Sequence, residues 1–196
     1  MDAATRREHA HAIFAAGLAA AEPGHCVRRA LAVEGNHLRC GTRRLPLDQI
    51  STLRVIGAGK ATAAMAQAAE VILGERIDAG AINTKYDHAL PLKHIETFEA
   101  GHPIPDEAGV AGAQRQLELL AGLDANAVVI ALFSGGGSAL LPAPAPGISL
   151  ADKQEATRQL LACGATIDQI NALRKHLSAA KGGLLARAAA PAQICA

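Results

Sequence analysis

Apolar residues follow two patterns along this chain. Short apolar and β-branched runs mark strands: "LRVIGAG" at 53–59, "AGAINTK" at 79–85 and, most clearly, "AVVIALF" at 127–133. The last is apolar throughout, as expected where both sheet faces are covered. "HIETFEAG" at 94–101 alternates apolar and polar residues, the pattern of an edge or half-buried strand. Between the runs the period lengthens. Met65, Ala68, Ala69 and Ile72 recur at the spacing of one helix face. "PDEAGVAGAQRQLELLAGL" opens another helix, with Asp106 as its N-cap and Glu107 in its first turn. Further helical windows lie at 149–163, 166–177 and 178–190. Near the N-terminus, Ile13, Gly17 and Ala20 fall at helical spacing beside Phe14 and Leu18, as in an amphipathic helix. Two arginines ahead of this stretch resemble a signal peptide loosely, but Glu8, His9 and His11 interrupt the pattern.

Strands alternating with helices predict an α/β fold. The sheet is expected to be doubly wound and largely parallel, with flanking helices in a Rossmann-like three-layer arrangement. Ligands of such folds bind outside the carboxyl ends of the strands. Two glycine-rich turns stand at such ends, "GAGKA" at 57–61 and "SGGGSA" at 134–139.

Composition narrows the picture. Only Phe14, Tyr86, Phe98 and Phe133 are aromatic, so Ala, Leu, Ile and Val must build the core. With 19 basic and 18 acidic residues the net charge is +1, which gives no electrostatic case for nucleic acid. Arg28, Arg29, Arg39, Arg43 and Arg44 cluster in sequence and read as a solvated surface. Cys26, Cys40, Cys163 and Cys195 form no C-x-x-C pair and fit no zinc spacing. They read as reduced thiols of a cytoplasmic protein. His9 and His11 would point to different sides of a helix, so no metal site is assigned. No apolar run is long enough for a membrane span.

The glycine turns carry the candidate chemistry. Gly135, Gly136 and Gly137, flanked by Ser134 and Ser138, leave room for a ligand to meet bare backbone, whose N–H groups form anion-binding concavities. Ser138 is placed to cap the helical turn that follows. A tight turn requiring positive φ is the alternative use of such glycines. "GAGKA" is not a P-loop, since Arg54 and Ala61 stand where that motif needs Gly and Ser or Thr. Gly57 and Gly59 match two glycines of a dinucleotide fingerprint, but Thr62 replaces the third and only Asp87 offers a late acidic partner. Lys60 opens the predicted helix, where its charge opposes the helix dipole. It either extends into solvent or faces an anion. "NALRKHLSAAKGG" at 171–183 crowds Arg174, Lys175, His176 and Lys181 together, with Ser178 and Lys181 on one helix face. Its "KGG" reads either as a glycine-capped helix end or as part of a longer helical segment. His102 in the stiff "GHPIPD" loop reads as a loop hydrogen bonder.

"VIGAGKA", "GHPIPDEAG", "LFSGGGSALL" and "INALRKHLSAAKGG", in this order, resemble the glycerate 2-kinases of the MOFRL type, whose relatives often carry the label hydroxypyruvate reductase. The resemblance covers nearly the whole chain. It implies ATP- and Mg²⁺-dependent phosphorylation of D-glycerate to 2-phosphoglycerate, with a small-molecule substrate and a nucleotide as partners. It further implies Lys60 as the catalytic lysine. Gly57, Gly59, Ser134, Gly135, Gly136, Gly137, Ser138, Arg174, His176 and Lys181 are then the residues that bind substrate or phosphate. Members of the family are about twice as long. Residues 1–196 are therefore expected to be an N-terminal α/β domain, truncated before the family's C-terminal domain and weak or inactive alone. An NAD(P)H-dependent hydroxypyruvate reductase and a non-catalytic anion-binding domain are the alternatives.

Overall fold

The structure is a computed structural model of residues 1–196. Helices α1 (Ala3–Ala20) and α2 (Pro23–Ala30) lead into an antiparallel meander, β1 (Leu31–Glu34), β2 (His37–Cys40) and β3 (Arg43–Pro46). The chain then alternates through β4 (Leu53–Ala58), α3 (Thr62–Leu73), β5 (Ala79–Lys85), β6 (Ile95–Ala100), α4 (Glu107–Leu120) and β7 (Val128–Phe133). A single turn, α5 (Gly137–Leu140), precedes α6 (Leu150–Ala162), α7 (Ile167–His176), α8 (Leu184–Ala189) and β8 (Gln193–Cys195).

Strands β4 to β8 form one parallel sheet in the order β6-β5-β4-β7-β8. The expected α/β sheet with helices on both faces is therefore present. β7 and β4 are central, and β6, with its alternating pattern, is an edge. On one face Leu53 and Val55 pack with Ala66, Ala69 and Leu73 of α3 and with Leu38 of the meander. On the other, Ile56, Val129 and Ala131 meet Leu120 of α4 and Ala189 of α8. The alternation of side chains along a strand sends neighbours such as Val55 and Ile56 to opposite cores. α4 lies close to the sheet because Gly112 has no side chain; a Cβ there would overlap Asn83 and come within 2.7 Å of Phe98 Cβ. Asn83 ties the layers together. Its amide donates to the carbonyls of Gly109 (2.9 Å) and Leu140 (2.7 Å), and its Oδ1 accepts from Gln116 at 2.9 Å.

Three expectations are modified. The N-terminal helix forms, yet none of its residues is buried, and Ile13, Phe14 and Leu18 remain 74%, 69% and 65% exposed. The window at 178–190 is helical only over Leu184–Ala189. Gly182 and Gly183 stand at φ of 64° and 87°, left-handed values that separate α8 from α7. In α3 the buried residues are Thr62, Ala63, Ala66, Ala68, Ala69 and Leu73, so Ala68 and Ala69 face the core as expected while Met65 and Ile72 lie at its margin. The meander was not anticipated, although the two-residue turns Gly35-Asn36 and Gly41-Thr42 signal hairpins. The arginine cluster is a surface: Arg28 pairs with Glu22, and Arg39 and Arg44 pair with Glu34. The four cysteines are free thiols, and no helix is long and apolar enough to cross a membrane.

Candidate functional site

After β4 the chain order reverses. β5 and β6 lie to one side of it, and β7 and β8 to the other. This is the switch point where an open α/β sheet leaves a crevice beyond its carboxyl ends. The two glycine turns leave the sheet here side by side, Ala58 of β4 lying in register with Phe133 of β7.

The turns are fastened together. Ser134 N–H donates to the Ala58 carbonyl at 3.1 Å, and Lys60 N–H donates to the Gly135 carbonyl at 3.0 Å. Ser134 Oγ accepts the Ala61 N–H at 3.0 Å and lies 3.3 Å from the Thr62 hydroxyl. Gly59 permits this contact. At φ 147° it has no side chain, and an added Cβ would overlap Ser134 and approach its carbonyl within 2.8 Å. Gly57 is buried one step earlier, its carbonyl accepting from Gln116 at 3.0 Å. Gly57 and Gly59 thus make close backbone packing possible. The N–H groups of Gly59, Lys60, Ala61 and Thr62 all have partners within the protein.

The other turn is open. Gly136, at φ 89°, occupies the N-cap position of α5, and Ser138 lies inside that helix rather than capping it. The anticipated Ser138 cap is therefore not made. Gly135, Gly136 and Ser138 leave their N–H groups without a partner, whereas Gly137 donates to Ser134. Gly135 and Ser138 are exposed.

Cations converge on this turn. Lys60 stands two residues before α3 rather than within it, exposed and paired with no carboxylate. Its Cε lies 3.0 Å from the point a Cβ on Gly136 would occupy, and His102 Nε2 lies 3.1 Å from that same point. Burial, then the charges of Lys60 and Lys85, push the His102 pKa down. These influences favour the neutral imidazole beside the lysine. Sequence reasoning gave His102 only a loop role, since nothing in "GHPIPD" reveals where the loop folds back.

A cavity of about 610 Å³ adjoins the glycine turn. Ser134, Gly136, Gly137 and Ser138 form one wall, and Arg174, Lys175, Lys181, Gly182 and Gly183 another. Ser178 is buried and fixes the start of the second wall, its Oγ accepting the N–H groups of Ala180 (3.2 Å) and Lys181 (3.3 Å). Lys181 Nζ donates to the Leu141 carbonyl at 2.8 Å. Its pKa falls to about 7, through burial first and then the charges of Lys153 and Arg174. His176 is exposed at the end of α7 and lines no part of the cavity. Lys60 is also absent from its lining, its Cε lying instead beside Gly136. Lys153, on α6, went unnoticed in the sequence; it is buried and donates to the Ala143 carbonyl at 3.2 Å.

The arrangement presents free backbone donors and unpaired cations to one crevice, the chemistry of an anion site. No group of three or more His, Cys, Asp or Glu side chains is placed to hold a metal ion. The nearby Asp106 carboxylate is occupied by Tyr86 and by the N–H groups of Gly101 and Gly109.

A family described as "Domain of unknown function (DUF4147)" matches residues 9–196. A D-glycerate 2-kinase of Thermotoga maritima is 43% identical over 153 residues, covering 78% of this chain and 37% of its own length. The glycerate kinase of Homo sapiens is 39% identical over 203 residues, covering 95% and 38%. A putative hydroxypyruvate reductase of Agrobacterium vitis is 48% identical over 140 residues, covering 71% and 32%. Among solved structures, a glycerate kinase of Thermotoga maritima superposes with a TM-score of 0.83 at 37% identity, over 97% of this chain and 43% of that one. The chain thus spans well under half the length of these relatives.

Proposed function

From the premise that the chain belongs to the DUF4147 family, we propose that it builds the phosphoryl-binding part of an ATP-dependent kinase that converts D-glycerate to 2-phosphoglycerate. The observation that carries this reading is the meeting of Lys60 with the glycine turn at the switch point of the sheet. Phosphoryl transfer is promoted mainly by positioning and charge neutralisation, and both are available here. The free N–H groups of Gly135, Gly136 and Ser138 suit phosphate oxygens. The Lys60 ammonium, without a counter-ion, would neutralise charge on the transferring group. Neutral His102 beside it would accept a hydrogen bond from the substrate hydroxyl. ATP, when bound, supplies the phosphoryl group. Among the residues present, the charged groups at the crevice are cations, so they do not themselves build a Mg²⁺ site, and no step is assigned to that ion. Four unpaired thiols suit a cytoplasmic protein.

A nicotinamide-dependent reductase is the second reading, resting on the name of the Agrobacterium relatives. The β4–α3 turn does not favour it. The backbone N–H groups that a pyrophosphate would need there are already bonded, those of Lys60 and Ala61 to the β7 turn. The test is release of ADP with D-glycerate, with 2-phosphoglycerate identified by NMR. Turnover is expected to be slow with residues 1–196 alone and to be lost in Lys60→Met of the longer protein. Full turnover in that variant sinks the kinase reading. NADH oxidation by hydroxypyruvate would install the reductase in its place.

A further inference from the structure

One pair of thiols lies outside everything the kinase reading uses. A second cavity, of about 390 Å³, opens between α2, the meander and β8, on the face of the sheet that carries α3. Three cysteines line it: Cys26 from α2, Cys40 from β2 and Cys195 from β8. The Cys26 thiol donates to the Ala20 carbonyl at 3.6 Å. Cys40 and Cys195, far apart in the chain, are brought together by the fold. Both are half-buried and pack against the core that holds Leu53 and Val55. Arg43, the register partner of Cys40 in the β2–β3 hairpin, donates to the Ile194 carbonyl at 3.3 Å and to the Gln193 side chain. The hairpin is thereby fastened to β8. The Cys40 thiol donates a hydrogen bond to Cys195 Sγ. That bond lowers the Cys195 pKa to about 7, against burial and with help from the Arg43 charge. The same bond, and then burial, raises that of Cys40. A cysteine that only fills volume is inert, whereas a thiol beside a cation and open to a cavity is placed to react.

We propose that Cys40 and Cys195 form a thiol–disulfide exchange site, which a low-molecular-weight disulfide reaches through this cavity. Cys195 is the attacking thiol and Cys40 the resolving one. The Cys195 thiolate attacks one sulfur of the small disulfide, forms a mixed disulfide and releases the other half as a thiolate. Cys40 then attacks Cys195 Sγ, the bond to the small molecule breaks, and the Cys40 proton goes with the departing thiol. A Cys40–Cys195 disulfide remains. Two electrons pass from the protein thiols to the small disulfide, and no other oxidant takes part. The new bond ties the meander to β8. That strand is shared by both cavities: Ile194 and Ala196 line the one beside the glycine turn as well as this one, while Cys195 lines this one alone. Oxidation therefore fixes a wall of the anion cavity from its other side. The site is independent of the kinase reading.

The experiment incubates the reduced protein with oxidised glutathione, alkylates the remaining thiols and maps the tryptic peptides by mass spectrometry. The expected product joins the peptide of residues 40–43 to the peptide that begins at Ala188. In glutathione redox buffers the linkage titrates as a two-electron couple. The oxidised protein melts at a higher temperature, because the crosslink restricts the unfolded chain. This mapping uses the unaltered sequence, so it does not depend on a variant that folds. Cys40→Ser is expected to stop at one glutathione on Cys195, released by dithiothreitol. Cys195→Ser is expected to take up glutathione at residue 40 about tenfold more slowly or worse. Neither variant gains the higher melting temperature. Recovery of Cys40 and Cys195 fully alkylated overturns the proposal, as does a linkage to Cys26 or Cys163 in their place. A lasting glutathione adduct on Cys195 of the unaltered protein shows that Cys40 does not resolve it, and removes the pair. A linked peptide found only in a disulfide-bonded dimer does the same.

Discussion

Ser134 Oγ accepts the Ala61 N–H at 3.0 Å, and that bond fastens the turn after β7 to the turn after β4. The hydroxyl also lies 3.3 Å from that of Thr62, the residue standing where a dinucleotide fingerprint has its third glycine. The crevice therefore has one wall braced by the other, and its free donors belong to the glycine turn.

Removing the brace leaves a partly buried N–H without a partner. Ser134→Ala is expected to lower stability by about 1–3 kcal/mol. Urea unfolding measures this, and weaker binding of ATP should accompany it. An unchanged midpoint would mean that Ser134 does not hold the turns together.

Gly59 tolerates no side chain. Its φ of 147° is strained for any L-residue, and a Cβ would overlap Ser134. Gly59→Ala is expected to cost about 3 kcal/mol or more, read as a large fall in Tm. A near-native melting curve would contradict the contact.

Lys60 should matter for ligands and not for folding. It is exposed and unpaired, so Lys60→Met is expected to change stability by less than about 0.5 kcal/mol. Loss of ADP release in a variant with an unchanged melt is the predicted signature. A non-catalytic anion binder would show no effect on nucleotide affinity instead.

The pH dependence follows from Lys181, whose pKa is lowered to about 7 from 10.5 by burial and by Lys153 and Arg174. Between those values the unfolded chain binds a proton at this lysine that the folded one does not, so its contribution to stability rises with pH across the window. Below about pH 7 both states are protonated and the penalty stands in full. A bound polyanion reverses the preference by stabilising the ammonium. ATP should therefore bind more tightly as pH falls through about 7, with proton uptake visible in buffers of different ionisation heat. The anion's own titration is common to all variants, so Lys181→Met isolates this component. Lys153 on α6 is itself lowered to about 8, by burial first and then by the charge of Arg174, so the comparison is made at and below pH 7. An identical pH profile in Lys181→Met would refute a phosphate-binding role for Lys181.

The Asn83 bridge gives the fourth stability test. Asn83→Ala removes two donors and one acceptor from buried carbonyls and from Gln116. A loss of about 2–4 kcal/mol is expected by chemical denaturation, and a loss within error would show that water replaces the amide.

Local pattern determined the elements of this protein. "AVVIALF" became a central strand because its side chains from Ala127 to Leu132 are all buried, only Phe133 at the crevice end being exposed, and "HIETFEAG" became an edge because its polar side chains are not. Asp106 capped its helix as its position required. The glycine turns and the cations of 171–183 were likewise legible as unusual local chemistry. What the turns do was decided by their pairing, which is long-range. β4 and β7 are some seventy residues apart, yet lie adjacent in the sheet. That adjacency consumed the N–H groups of Lys60 and Ala61 and left those of Gly135, Gly136 and Ser138 free. It also brought His102 to Lys60 and set Lys153 behind Lys181, relations that no spacing in the sequence encodes. Hydrophobic period is a property of neighbouring residues, whereas burial and electrostatic field are sums over whatever the sheet order brings close.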